Sequence, residues 1–280
     1  MLRLTVFVAL LAMAACSPSG GGTAAPTDRP MRIVSLDFCA DQYVLKLADA
    51  EQILAVSPDA TKAFSYMRAS AVGVPTVRPK AEDVLILKPD LVVRSYGGGP
   101  NATAFFERAG IPVLQVSWAT NIDGEEIGSI PPLTQHVADG LGQTERGRAL
   151  VRSFRNRLKA VRAGDSDDTA LYMTPAGVTT GAGSLVHEML IAAGLQNFQD
   201  GRGWRSLPLE RLVYEQPDMV VAAYFDARTN HPNAWSAAQH PVARQQLASP
   251  DTVALQGAWL ACGGWYLMDA LEALSEGTAQ

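Results

Sequence analysis

Two α/β lobes joined by one long helix are predicted from three features of the 280-residue sequence. Short β-branched runs alternate with segments of helical periodicity. A twelve-residue unit occurs at 82–93 and again at 210–221. Between the copies lies one uninterrupted amphipathic stretch. Such alternation implies parallel sheets covered by helices, and a recurring supersecondary unit implies lobes of like construction.

The first thirty residues stand apart from that fold. Arg3 precedes an apolar run from Leu4 to Leu11, shorter than the roughly 20 residues that span a bilayer and shaped like an export signal over 1–15. Ala12-Met13-Ala14 fits an ordinary small-x-small cut. Met13-Ala14-Ala15-Cys16 resembles the lipobox of bacterial lipoproteins, with Met13 in place of the usual Leu, and makes Cys16 the lipidated residue. Residues 16–30 are rich in Gly, Ser, Pro and Thr and read as a flexible tether. A tether suits an anchored domain, so lipidation is favoured over a soluble exported chain.

The first lobe is expected over 31–142. Met31 to Leu36 reads as a strand, Asp41 to Ala50 as a helix and Ile53 to Val56 as a strand. A helix over Glu82 to Leu87, stopped by Pro89, leads to a strand at Leu91 to Val93. Ala102 to Ala109 is a helix ended by Gly110, and Val113 to Val116 is the next strand. The repeat aligns EDVLILKPDLVV with ERLVYEQPDMVV: a Glu opens a short helix, a Pro ends it, Asp follows and an apolar strand begins. The connecting helix is expected over 143–163. Leu150, Val151, Phe154, Leu158 and Val161 share one face; Arg148, Arg152, Arg155, Arg157, Lys159 and Arg162 form a basic, solvated one. The second lobe is expected over 164–280.

Composition narrows the function. Hydrophobic residues make up 48% and charged residues 18%, too apolar for a disordered chain. A formal net charge of −5 argues against a nucleic-acid partner. Three cysteines, Cys16, Cys39 and Cys262, are too few for a disulfide scaffold. No G-x-S-x-G, Walker or G-x-G-x-x-G spacing occurs, and His187-Glu188 lacks the second histidine of a zinc motif because Ile191 stands there. Aromatic residues instead occupy the loops after strands: Tyr96, Trp118, Tyr224 and Phe225, with Trp204 in a glycine-rich loop and Trp259 and Trp265 flanking Cys262. Ligands of open α/β sheets bind at those strand ends, and flat aromatic area there suits a large conjugated or macrocyclic ligand. Arg94 and Arg205 are candidates to pair with its carboxylates.

The segments RIVSLDFCADQYVLKLADAEQILAVS, EDVLILKPDLVV, GAGSLVHEMLIAAGLQN, LPLERLVYEQPDMVV and HPVARQQL, in that order, resemble the substrate-binding proteins of bacterial ABC importers for vitamin B12, ferric siderophores and haem. The resemblance runs from Arg32 to the last helix. It implies two Rossmann-like lobes with a metal-chelate ligand held in the cleft between them, a periplasmic monomer, no cofactor and no catalytic step. It also implies that a Glu on each lobe docks on the membrane permease; the matching positions are Glu82 and Glu210, where helix capping is the other reading. Cleft contacts are expected from Phe38, Tyr66, Tyr96, Trp118, Trp204, Tyr224 and Trp259. In an oxidising compartment Cys39 and Cys262, both in loops facing the cleft, favour a disulfide, with two free thiols or a thiolate pair on a metal as alternatives. A periplasmic enzyme on the same scaffold, using Asp37 or Cys39, and a purely structural lipoprotein are the competing classes.

Overall fold

The computed structural model describes residues 29–117, 127, 130–161, 167–224 and 236–278; the export signal, Cys16, nearly all of the tether, Trp118 and Phe225 lie outside the described residues. The first half runs β1 (Ile33–Ser35), α1 (Phe38–Leu47), β2 (Ile53–Ala55), α2 (Ala81–Ile86), β3 (Leu91–Arg94), α3 (Ala102–Arg108) and β4 (Val113–Gln115). Two helices follow, α4 (Ile130–Gly140) and α5 (Thr144–Val161). The second half runs β5 (Thr169–Met173), β6 (Val178–Thr180), α6 (Leu185–Ala192), β7 (Gln196–Asn197), β8 (Trp204–Ser206), α7 (Arg211–Tyr214), β9 (Met219–Tyr224), α8 (Pro241–Leu247), β10 (Thr252–Gln256) and α9 (Leu267–Thr278).

Each half builds one four-stranded parallel sheet, ordered β2-β1-β3-β4 and β7-β5-β9-β10. With the antiparallel β6–β8 pair set aside as an insertion, both sheets have the same strand order counted from the first strand of each lobe. The two lobes are therefore one topology used twice.

The repeated Pro-Asp has a definite task in each copy. Asp90 accepts the backbone N–H groups of Met31 (2.9 Å) and Arg32 (2.9 Å), just before β1. Asp218 accepts the Thr169 N–H (2.8 Å) and hydroxyl (2.8 Å), at the start of β5. Each carboxylate anchors the first strand of its lobe beside the strand that the repeat itself begins. The Pro stops the helix and the Asp fixes the register of the sheet.

Helix α1 begins at Phe38 rather than at Asp41, because the Asp37 carboxylate caps it by accepting the Ala40 N–H at 3.0 Å. Helix α5 buries Val151, Phe154, Leu158 and Val161 as the periodicity requires. Its basic face is not wholly solvated. Arg157 crosses to α9 and pairs with Asp269 (2.6 Å) and Glu272 (2.7 Å), while Arg146 binds the Leu47 carbonyl and Asp49.

The largest apolar cluster runs through both lobes, taking Tyr43, Ile130 and Phe154 together with Tyr172, Met189 and Leu271, and smaller clusters lie on the far sides of the two sheets. Tyr66 stacks on Tyr266 at 4.6 Å and donates its hydroxyl to Asp269 at 2.7 Å. Tyr43 donates to the Gly263 carbonyl at 3.2 Å and meets Trp265 edge-on at 5.2 Å. Cys39 and Cys262 are bonded, with an S–S distance of 2.00 Å and Cα atoms 5.6 Å apart. The lobes are thus welded along one side by a covalent bond, an aromatic stack and an ion-pair cluster.

Candidate functional site

In parallel sheets the loops that leave the carboxyl ends of the strands are free to carry recognition, because the strands fix their bases. On the first lobe those loops are organised by two buried charged groups. Asp37, 3% exposed, accepts from the backbone N–H groups of Ser95 (2.7 Å), Tyr96 (3.0 Å) and Gly97 (2.8 Å) in addition to its cap bond. Arg94, 7% exposed, donates to the carbonyls of Gly97 (2.8 Å) and Gly99 (2.9 Å) and to Thr103 (2.8 Å) and Gln115 (3.3 Å). Gly97 is required here, since a Cβ would collide with the Leu36 carbonyl. The outcome is a rigid loop that presents Tyr96.

This arrangement changes the roles of three residues. Arg94 is not a ligand's counter-charge; its donors hold the glycine loop closed. Asp37, weighed for chemistry, is the acceptor for four backbone N–H groups, and Cys39 is in the disulfide.

Tyr96 is 45% exposed, and its hydroxyl is pushed up to about 12 by burial and by the neighbouring Asp37 charge, so it stays protonated at neutral pH. Phe38 meets it edge-on at 6.2 Å and meets Phe64 at 4.9 Å. Phe64 escaped the sequence reading because it lies in a turn-rich segment without periodicity. Gln42, buried on α1, holds that segment by accepting the Met67 N–H (2.7 Å) and donating to Ser65 (2.9 Å). Tyr66 follows Phe64 by two residues but faces the other way, with its ring and hydroxyl committed to Tyr266 and Asp269.

On the second lobe Trp204 is 61% exposed on β8 and meets Tyr172 edge-on at 6.2 Å. It lines a cavity of about 180 Å³ together with Ser184, Leu260 and Cys262. Cys262 carries the bond to Cys39, and Phe38 directly precedes Cys39. The disulfide therefore brings the Phe38–Phe64–Tyr96 cluster and the Trp204 cavity to one region, one group from each lobe. Trp259, half-buried, ends the short turn after β10 and packs on the shared core. Tyr224 stands apart from these. It lines a separate cavity of about 410 Å³ with Met173, Ala222, Gln239 and Arg244, at the ends of β5 and β9. Trp265, 5% exposed, belongs to the core. Arg205 is exposed on β8 and donates to the Arg202 carbonyl at 3.2 Å. His187 packs its Nδ1 against the Asn197 amide at 3.2 Å. Among the described residues no group of three His, Cys, Asp or Glu side chains is placed to hold a metal ion, and no helix is long and apolar enough to cross a membrane.

Glu82 is the second residue of α2, and Glu210 precedes α7 as its cap residue without a side-chain capping bond. Both are exposed, and neither forms an ion pair or side-chain hydrogen bond among the described residues. The residues beside them behave differently: Asp83 pairs with Arg78 at 2.7 Å, and Arg211 pairs with Glu215 at 2.7 Å and Asp200 at 2.8 Å.

Residues 33–256 match the family model described as periplasmic binding protein. The chain belongs to the periplasmic binding protein family. A cobalamin-binding protein of Halobacterium salinarum is 29% identical over 214 residues, which cover 73% of this chain and 57% of that protein. The chain thus spans little more than half the length of that relative. A vitamin B12-binding protein of Yersinia pseudotuberculosis is 24% identical over 220 residues, 75% of each chain. Among solved structures, a periplasmic haem-binding protein of Pseudomonas aeruginosa superposes with a TM-score of 0.66 at 24% identity, covering 88% of this chain and 91% of that one. That likeness establishes the fold: this periplasmic binding protein shares the two-lobed architecture built above.

Proposed function

We propose that this periplasmic binding protein is the ligand-capturing component of an ABC importer and takes a metal chelate of the cobalamin, haem or ferric siderophore class. The lobes comprise residues 31–142 and 164–280, with the helical link over 143–163. One observation carries the reading. Each lobe places aromatic side chains at the carboxyl ends of its strands, and the Cys39–Cys262 bond draws Phe38 and Tyr96 of one lobe towards the cavity of Trp204 on the other. Flat apolar walls fit a conjugated or macrocyclic ligand. Trp259 extends the cleft, while Tyr66 supports it from the core; Trp118 remains a sequence-based candidate for the same cleft, and Tyr224 lines its own cavity. The relatives named for cobalamin and haem binding favour the same ligand class.

Delivery follows from two exposed carboxylates that have no side-chain partner among the described residues. Glu82 and Glu210 dock on basic side chains of the permease, one contact per lobe. Their lack of side-chain partners among the described residues supports docking over capping. The protein acts in the periplasm as a monomer, held to a membrane by a lipid on Cys16 and the tether over 16–30. It performs no covalent chemistry. Gel filtration of the purified protein with cyanocobalamin, haemin or ferrichrome tests the reading: one chelate co-elutes at 1:1 and is recovered chemically unchanged. Recovery of a converted product supports an enzyme instead.

A further inference from the structure

The cavity of about 410 Å³ on the second lobe lies where β5 and β9 end, the place at which parallel sheets bind small molecules. Strand alternation decides which side of the sheet it belongs to. Tyr172 and Val221 face the apolar cluster shared with the first lobe, which also holds Cys39 and Cys262. Leu171, Met173 and Val220 face the opposite way, onto a separate cluster with Ala238 and, on α8, Ala243. Met173, Ala238 and Leu247, all packed in that outer cluster, give the cavity its apolar lining. No residue lines both this cavity and the one beside Trp204.

Three larger polar side chains share the wall: Tyr224, Gln239 and Arg244. Among the described residues none of these three side chains has a hydrogen-bond or ion-pair partner. Arg244 is the only charged residue among those lining the cavity, so no carboxylate of the wall neutralises its guanidinium. Part of the wall is held rigid. Ser236 donates to the Pro175 carbonyl at 2.9 Å, and a Cβ on Gly177 would collide with the backbone nitrogens of Ala237 and Ala238. The turn after β5 is thereby locked to the segment that carries Gln239, and the cavity is preformed. An exposed arginine alone is ordinary. An arginine, a phenol and an amide, all without partners on one concave apolar surface of this volume, are the composition of a small-molecule site.

We infer that this cavity is a second ligand site, for a small monocarboxylate with a compact apolar body. The Arg244 guanidinium takes the carboxylate in a two-point, charge-assisted contact. Gln239 and Tyr224 add hydrogen bonds, and Met173, Ala238 and Leu247 take up the hydrocarbon part. The single positive charge selects one acid group. The inference stands apart from the importer reading, since it uses none of the residues proposed to grip the chelate.

Calorimetric titration of the purified protein with benzoate, phenylacetate and octanoate tests it. The titrations are repeated with the matching neutral amides, and on Arg244→Gln and Trp204→Ala. The expected result is saturation at 1:1 by at least one acid with Kd below about 1 mM. Its amide, and the acid on Arg244→Gln, bind about tenfold more weakly or worse, while Trp204→Ala binds the acid within about twofold of wild type. Arg244 is exposed on α8, so its replacement leaves the fold intact, which thermal unfolding checks; the comparison of acid with amide needs no variant. No saturation by any of the three acids below about 10 mM overturns the site. Equal binding of acid and amide overturns it too. Binding that Arg244→Gln keeps and Trp204→Ala abolishes puts the acid in the chelate cleft and also overturns the proposal.

Discussion

Asp41 is a buried titratable residue in the first lobe. It is fully buried, accepts the Ser57 hydroxyl at 2.5 Å and the Ser57 N–H at 3.1 Å, and its carboxyl is pushed up to about 6 by burial. A raised folded pKa means that the native state holds this proton more tightly than the unfolded chain does. The fold is therefore stabilised as pH falls from about 6 towards 4, and it carries the cost of a buried charge above that window, about 3 kcal/mol. Asp41→Asn keeps an acceptor for the Ser57 N–H, turns the hydroxyl contact into a donation from the amide nitrogen to Ser57 Oγ, and removes the charge. Urea unfolding should find the variant at least as stable as wild type at pH 7, with a flatter pH dependence between 4 and 6. Asp49, held at about 2 by hydrogen bonds from Arg146 and Gln143, loses its contribution only below that window. None of this is legible in the sequence, where Asp41 reads as a helix-opening residue. The same holds for Asp37 and Arg94. Their roles come from loops that approach only after β1 and β3 pair, so no local spacing encodes them. The aromatic residues were visible because their composition and their places after strands are local facts.

At the scale of elements, what the sequence displayed best was the repeat. Glu-x₆-Pro-Asp marks helix, stop and strand in both lobes, and the shared strand order follows from it. What it did not display was α4, whose apolar positions are interrupted by Pro131 and Pro132, or the short β6–β8 pair, whose strands of three residues lie among glycines. The interlobe weld was also hidden, since Tyr43–Gly263, Tyr66–Tyr266 and Arg157–Asp269 each join residues far apart in sequence. The disulfide closes a loop with a sequence separation of 223 residues, so in the chain-entropy view it restrains the unfolded state strongly. Replacing both cysteines by alanine should lower stability by about 2–5 kcal/mol. Reduction of the wild type should reproduce the loss in urea titrations, and reduction of the double variant should change nothing.

For the whole molecule, one sheet topology is used twice, and the disulfide, the Tyr43 and Tyr66 contacts and the Arg157 ion pair tie the two halves together. Under the proposed function, a chelate held between them would contact both lobes at once, and its binding would stabilise the arrangement that grips it. Glu82 on α2 and Glu210 before α7 lie one per lobe, so under the proposed docking a permease that engaged both would read the relation of the lobes as well as the presence of the protein. Charge and composition argued against nucleic acid as a partner, and the absence of catalytic spacing turned attention to binding; the fold supplied the geometry in which binding makes sense. The central claim is that a metal chelate is gripped by both lobes together. It is tested most directly by tryptophan-fluorescence titration of the purified protein with haemin, cyanocobalamin and ferrichrome, repeated on Tyr96→Ala and Trp204→Ala. The account predicts saturable 1:1 binding of one of the three with Kd below about 1 μM, weakened about tenfold or more by either substitution. No saturation by any of the three below about 100 μM, or binding that survives both substitutions unchanged, contradicts it.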